Sequence, residues 1–90
     1  MSHPIHLSIK MFGAFRKYHP GTLDIQIPPG SKVLTIKSAI GKALHKSNPA
    51  FLDDELINKS ALANNQRVFK DDDCIEASSE LAILPPVCGG

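Results

Sequence analysis

The sequence predicts an α+β fold in which a mixed sheet packs against one main helix. Residues 5–11 and 23–27 alternate apolar and polar side chains, as half-buried strands do. Residues 36–44 repeat their apolar side chains at helical spacing, and the apolar run at 81–84 is typical of a strand buried on both sides. A single helix must bury its apolar stripe against one face of a sheet, which is the α+β arrangement.

The first two strands are predicted to form an antiparallel hairpin. One carries Ile5, Leu7, Ile9 and Met11 on a single face, and the other carries Leu23, Ile25 and Ile27. The His-Pro-Gly sequence at 19–21 indicates a turn between them, and strands this close in sequence pair most simply as a hairpin. Pro28 and Pro29 end the second strand, because proline has no N–H to donate to a neighbouring strand.

The helix is predicted from the spacing of Ile36, Ala39, Ile40, Ala43 and Leu44. Thr35 precedes this stripe and is the predicted N-cap, since its hydroxyl can accept a hydrogen bond from a free N–H of the first turn. Asn48 and Pro49 end the helix, because the residue before a proline disfavours helical backbone.

The stretch between the helix and the last strand has weaker patterns. Residues 51–56 carry Asp53, Asp54 and Glu55 and are expected to form a solvated loop. The remaining elements are a weaker strand candidate at 57–64, a turn at 65–66, a short edge strand at 68–69 and a loop at 71–73. The predicted order is therefore strand, strand, helix, strand, short strand, strand.

Composition excludes several classes of function. The chain has 90 residues, which suits one small domain, and a net charge of +1, far from the surplus of a nucleic-acid-binding protein. No apolar run has the length of a membrane span. The N-terminal residues show no secretory signal, so the expected compartment is the cytoplasm. There Cys74 and Cys88 are expected to be free thiols, and a disulfide between them is the competing interpretation.

No active site is evident within the chain. Zinc sites need three or four converging ligands, and the histidines lack such spacing, so we expect them to be exposed and no metal to be bound. No nucleophile and base are paired in the sequence. The aromatic residues are interpreted as core or interface, since no basic cluster accompanies them; they include Phe12, Phe15, Tyr18 and Phe69.

The last six residues, 85–90, read Pro-Pro-Val-Cys-Gly-Gly and are predicted to be a tail on a folded domain of residues 1–84. The two prolines fix φ and make the chain stiff and extended, whereas Gly89 and Gly90 have no side chain and great backbone freedom. A stiff spacer with a thin end can thread a narrow channel and deliver a terminal carboxylate to the active site of another protein. The alternative is a frayed terminus that happens to contain glycines.

A terminal carboxylate becomes a carrier group once it is activated. Adenylation gives it a good leaving group, and sulfur can then displace the nucleotide and leave a thiocarboxylate at Gly90, which is the better nucleophile. Cys88 is interpreted as a small side chain, and the alternative is a thiol that takes part in sulfur transfer.

Three stretches of the sequence resemble the MoaD/ThiS family of ubiquitin-like sulfur carriers, most closely its molybdopterin synthase small subunits. Residues 9–16 are similar to the family's first strand, which ends in an aromatic residue and then an arginine. Residues 63–66 resemble its Asn-Gln turn, and residues 80–90 resemble its last strand and tail. The resemblance covers nearly the whole chain and implies a β-grasp fold, in which the first and last strands lie parallel at the centre of the sheet.

The resemblance also implies two partner proteins. An ATP-dependent adenylyltransferase of the ubiquitin-activating type would charge Gly90, so ATP is used by that enzyme and no cofactor is expected on this chain. The large subunit of molybdopterin synthase would then use the thiocarboxylate to build the dithiolene of molybdopterin. The implied reacting end is Gly89 and Gly90, and the implied partner-binding residues are Phe12, Arg16, Leu84, Pro85, Pro86, Val87 and Cys88.

The sequence departs from the family at three places and leaves other functions open. Residues 77–79 replace an Asp-Gly-Asp-like turn, Asn64 stands where an apolar strand residue is usual, and Cys88 replaces a small or hydroxyl residue. The alternatives are a sulfur carrier for thiamine synthesis or transfer-RNA thiolation, a ubiquitin-like modifier joined to target lysines through Gly90, and a β-grasp interaction domain without C-terminal chemistry.

Overall fold

The first strand is one of the two central strands of a four-stranded sheet, and its alternating side chains turn one face toward the main helix. The computed structural model describes residues 3–51 and 54–86. Its elements are β1 Ile5–Met11, a 3₁₀ helix Gly13–Lys17, β2 Thr22–Ile27, β3 Ser31–Lys32, α1 Val33–Ser47, α2 Asp54–Lys59, β4 Ala61–Ala63, β5 Cys74–Ile75 and β6 Ser79–Leu84. The main sheet has the order β2-β1-β6-β4, and β3 pairs with β5 in a small second sheet.

Strand pairing confirms the predicted hairpin and the predicted parallel central pair, whereas the short edge strand predicted at 68–69 is reduced to an isolated bridge between Val68 and Ala63. β1 is antiparallel to β2, so the hairpin is correct. β1 is parallel to β6, with Ile9 opposite Leu81 and Met11 opposite Ile83. The last strand is therefore central, between β1 and β4. Ala82 of this strand faces away from α1 and is only partly buried. The prediction that both faces of the last strand are buried is therefore wrong for that face.

The core lies between the sheet and α1. The odd-numbered residues of β1 face the helix, and Ile36, Ile40 and Leu44 of α1 are fully buried against them. The 3₁₀ helix adds Phe15, which is also fully buried, and its ring centroid lies 6.5 Å from that of Phe51. These residues fix the 3₁₀ helix firmly to the body of the domain.

The start of α1 corrects the predicted N-cap. The helix begins at Val33, two residues before Thr35, and its N-cap residue makes no side-chain hydrogen bond. The free N–H groups of Val33 and Leu34 instead donate to the backbone carbonyls of Asp73 and Asp71, at 2.8 and 3.2 Å. The loop before β5 therefore caps the helix, which removes the need for a capping side chain.

The segment after α1 also differs from the prediction. Phe51 is buried, and Asp54–Lys59 form the short helix α2, so the expected loop at 51–56 and strand at 57–64 are wrong for these residues. α2 buries Ile57 in the core. The Ser60 hydroxyl donates to the Leu56 carbonyl at 2.6 Å and the helix ends there. Strand structure is confined to Ala61–Ala63.

Two further findings concern the described residues as a group. None of their helices has the length and apolar character needed to cross a membrane. The Cys74 thiol is exposed, and Cys88 lies outside the described residues, so the state of the two thiols stays a prediction.

Candidate functional site

The tail begins at the end of a central strand. β6 ends at Leu84, because Pro85 and Pro86 have no N–H with which to continue the pairing. Pro85 is half-buried and Pro86 is exposed. The root of the tail is thus fixed to strands on both sides, whereas Val87, Cys88, Gly89 and Gly90 lie outside the described residues.

Phe12 and Leu84 lie side by side at this root. Met11 and Ile83 are paired in the parallel register and buried on the helix side. Phe12 follows Met11 and Leu84 follows Ile83, and both side chains therefore point to the opposite, open face of the sheet. Phe12 has extended backbone and keeps 36% of its surface exposed, and Leu84 is half-buried. The structure therefore brings together two of the residues singled out in the sequence.

Arg16 lies on the 3₁₀ helix beside this pair. It is exposed in the last turn of that helix. A depression of about 340 Å³ is lined by Arg16, Phe12, Lys10 and Thr22. The Lys10 ammonium lies 5.6 Å from the centroid of the Phe12 ring, a favourable cation–π contact. An apolar ring next to the tail is thus bordered by two positive charges.

A larger groove of about 420 Å³ crosses the open face of the sheet from β2 to the turn after β4. Besides Phe12, its lining includes Lys10, Thr22, Asn64, Glu80 and Ala82. Sequence reasoning missed Lys10, Thr22 and Glu80 as site residues. Alternation placed Lys10 on the polar face, but only strand order shows that these side chains meet.

Asn64 has a structural reason to be polar. Its side-chain oxygen accepts hydrogen bonds from the N–H groups of Gln66 and Arg67, at 2.8 and 2.9 Å. Asn64 follows β4 and forms the turn that was predicted at 65–66. The polar residue therefore leaves the strand register intact and forms one wall of the groove.

The histidines and acidic residues do not converge on one point in the described ranges. No three of the histidine, cysteine and carboxylate side chains in residues 3–51 and 54–86 form a group that could hold a metal ion. The ring of His19 contacts the Ser47 hydroxyl and the Thr22 carbonyl, and that of His45 contacts the Phe51 carbonyl.

Comparison with known proteins gives one curated relative and several solved structures. The molybdopterin synthase sulfur carrier subunit of Synechococcus elongatus (strain ATCC 33912 / PCC 7942 / FACHB-805) is 38% identical over 72 residues, which are 79% of this chain and 77% of that protein. No family model matches the chain.

Two solved structures have the same fold. The SAMP1 structure from Haloferax volcanii matches with a TM-score of 0.67 and 25% identity, over 94% of this chain and 99% of that one. A putative molybdopterin converting factor, subunit 1, from Pyrococcus furiosus also matches with a TM-score of 0.67, at 21% identity, over 92% and 99%. These neighbours confirm the ubiquitin-like β-grasp fold. With the identity to the curated relative, they establish that the chain belongs to the MoaD/ThiS family of ubiquitin-like sulfur carriers.

Proposed function

We propose that this protein is the sulfur carrier subunit of molybdopterin synthase and that it carries sulfur as a thiocarboxylate on Gly90. The observation that carries the proposal is the place where the tail leaves the sheet. β6 ends at Leu84 in the middle of the sheet, beside exposed Phe12, which lines a groove on the open face. This arrangement lets a partner hold the body while the tail reaches its active site. The name of the curated relative, a molybdopterin synthase sulfur carrier subunit, supports this choice of pathway.

The loading reaction takes place on an activating enzyme that binds ATP. An oxygen of the Gly90 carboxylate attacks the α-phosphorus of ATP, and pyrophosphate leaves. Sulfide then attacks the carbonyl carbon of the acyl-adenylate, AMP leaves, and Gly90 ends in a thiocarboxylate. The contribution of this chain is to present the carboxylate at a defined distance from the folded body.

The second partner is the large subunit of the synthase. We assign its docking surface to Phe12 and Leu84, with Arg16 and Lys10 at the border and residues 85–88 in a channel. Aromatic anchors that become fully desolvated are frequent binding hot spots. Phe12 fits this role because it already lies beside Leu84 on the open face. In this complex the thiocarboxylate donates its sulfur toward the dithiolene of molybdopterin.

A ubiquitin-like modifier is the second candidate. The similarity to SAMP1, whose structure is also described as small archaeal modifier protein 1, favours it. In that function the activated Gly90 carbonyl would form an amide with a lysine of another protein. Both functions use the same adenylated intermediate, so the product distinguishes them.

One experiment separates the candidates. The protein is purified from its source cells under denaturing conditions, and the C-terminal peptide is analysed by mass spectrometry. We expect Gly90 at the terminus with one oxygen replaced by sulfur. A terminus found mainly in amide linkage to lysines would favour the modifier.

A deletion strain tests the pathway. It should lose molybdopterin while keeping normal thiamine synthesis and transfer-RNA thiolation. A strain with normal molybdopterin would contradict the assignment to molybdopterin synthase.

A further inference from the structure

Gly13 lies at the base of the tail, where the chain leaves β1. Its φ is +56°, a backbone conformation that side chains disfavour. A Cβ built on Gly13 would lie only 2.6 Å from Cγ of Pro85, and 3.5 and 3.8 Å from its Cδ and Cβ. Carbon atoms normally approach to about 3.5–4.0 Å. The Pro85 ring therefore occupies the space that a side chain at position 13 would need.

Both sides of this contact are fixed to the core. The parallel pair Met11–Ile83, continued by two residues, brings Gly13 level with Pro85. The 3₁₀ helix that starts at Gly13 is anchored by fully buried Phe15. On the other side, Ile83 is fully buried and is the last residue of β6 that pairs with β1. Moving either segment to make room for a side chain at position 13 would therefore disturb buried core residues.

The positive φ of Gly13 creates the space that the ring of Pro85 fills. The positive φ turns the chain away into the 3₁₀ helix, which opens a gap beside the end of β6. The ring of Pro85 fills that gap. Because proline fixes its own φ, the position of the Pro85 ring also sets the direction of the peptide that follows it. Pro86 extends this stiffness by one more residue.

We propose that Gly13 is a positioning residue for the carrier reaction: it seats Pro85 and thereby aims the tail. This inference rests on the proposed function, because it concerns the delivery of the Gly90 carboxylate. A side chain at position 13 pushes the Pro85 ring off its seat and shifts the reacting end, while the core stays intact.

The test compares substitutions that separate the steric contact from the backbone conformation. Gly13→Ala adds the Cβ and strains the backbone, whereas Gly13→Asn adds the same Cβ in a residue that tolerates positive φ better. Gly21→Ala is the matched control, since Gly21 has φ +95° but nothing within 4 Å of a built Cβ. Pro85→Ala in the Gly13→Ala background is the rescue, because it removes Cγ and Cδ and leaves Cβ, 3.8 Å from the new Cβ.

The readout is the rate of thiocarboxylate formation with ATP, the activating enzyme and sodium sulfide, followed by intact mass. Misplacing a reacting group by about 1 Å costs roughly a hundredfold in rate, so both Gly13 variants should load roughly ten- to a hundredfold more slowly. The Gly21 variant should load like the parent. The double variant should recover only part of the loss, because removing the Pro85 ring relieves the clash but also removes the fixed φ that directs the tail. NMR should show contacts between Gly13 Hα and the Pro85 ring protons in the parent, with amide dispersion kept in all variants.

Two results would overturn the positioning role while leaving the carrier function standing. One is parental loading by the Gly13 variants. The other is an equal loss in the Gly21 control with no rescue by Pro85→Ala, which would assign the effect to backbone strain. A parent protein that gains no sulfur under these conditions would instead overturn the proposed function itself.

Discussion

Replacing Phe12 by alanine should weaken binding to the large synthase subunit by a predictable amount. Phe12 keeps 36% of its surface exposed in the isolated chain. An aromatic side chain has about 200 Å² of surface, so docking can bury roughly 70 Å² more. At about 25 cal/mol per Å² this area is worth about 1.8 kcal/mol, which corresponds to a roughly 20-fold increase in Kd. Phe12→Asp should cost more, because a carboxylate would be desolvated without a partner.

The assay is isothermal titration calorimetry of each variant against the large subunit, with thermal unfolding as a check on the fold. Leu34→Ala is the matched control. Leu34 is also a large exposed apolar residue, at 54%, but it lies on α1, which packs against the other face of the sheet. Unchanged Kd for both Phe12 variants would refute the docking surface. So would an equal loss in the Leu34 control, since it would show a general effect of surface hydrophobicity.

Three further predictions concern the length of the tail, the Cys88 thiol and the ion pair between Lys37 and Asp71. Deleting Gly90 shortens the reach of the tail by about 3.5 Å, and appending one alanine lengthens it. Neither variant should gain sulfur by intact mass, and both should keep the parental thermal midpoint. Loading of the shortened chain at the parental rate would contradict the carrier mechanism. Cys88→Ala should keep most loading and transfer activity, and a near-complete loss with both partners still bound would mean that the thiol is chemically required. Asp71→Asn should lower the free energy of unfolding by about 1–2 kcal/mol in urea titrations, because the Lys37 ammonium, 2.8 Å away on a side chain only 5% exposed, loses its anion. Glu55→Gln, which breaks the exposed pair with Lys59, is the control and should cost about 0.5 kcal/mol or less; equal costs would contradict the argument from burial.

The parts of the fold that the sequence predicts are those set by local pattern. β1 is observed at Ile5–Met11, the same bounds that alternation predicts, because one face is buried along its whole length. α1 ends at Ser47, just before Asn48 and Pro49, because the residue before a proline disfavours helical backbone. The turn around residues 64–67 is likewise local, since the Asn64 side chain bonds to the backbone two and three residues later.

The parts that it misses depend on contacts between distant segments. Thr35 is not the N-cap because carbonyls of Asp71 and Asp73, far along the chain, accept the first N–H groups of α1. Nothing near Thr35 signals this. In the same way, Lys10 and Glu80 meet at the groove only because β1 and β6 are parallel neighbours. A residue pattern gives the face of a strand, but strand order gives its neighbours.

The central position of β6 gives the tail a fixed starting point. An edge strand opens easily, and a tail on it would present its end over a range of positions. β6 instead pairs with β1 and β4, and it buries Leu81 and Ile83 beneath α1. The same strand therefore holds the core together and sets the origin of the tail. Substitutions in the core beneath β6 should then affect loading through the position of this origin, even where the tail sequence is unchanged.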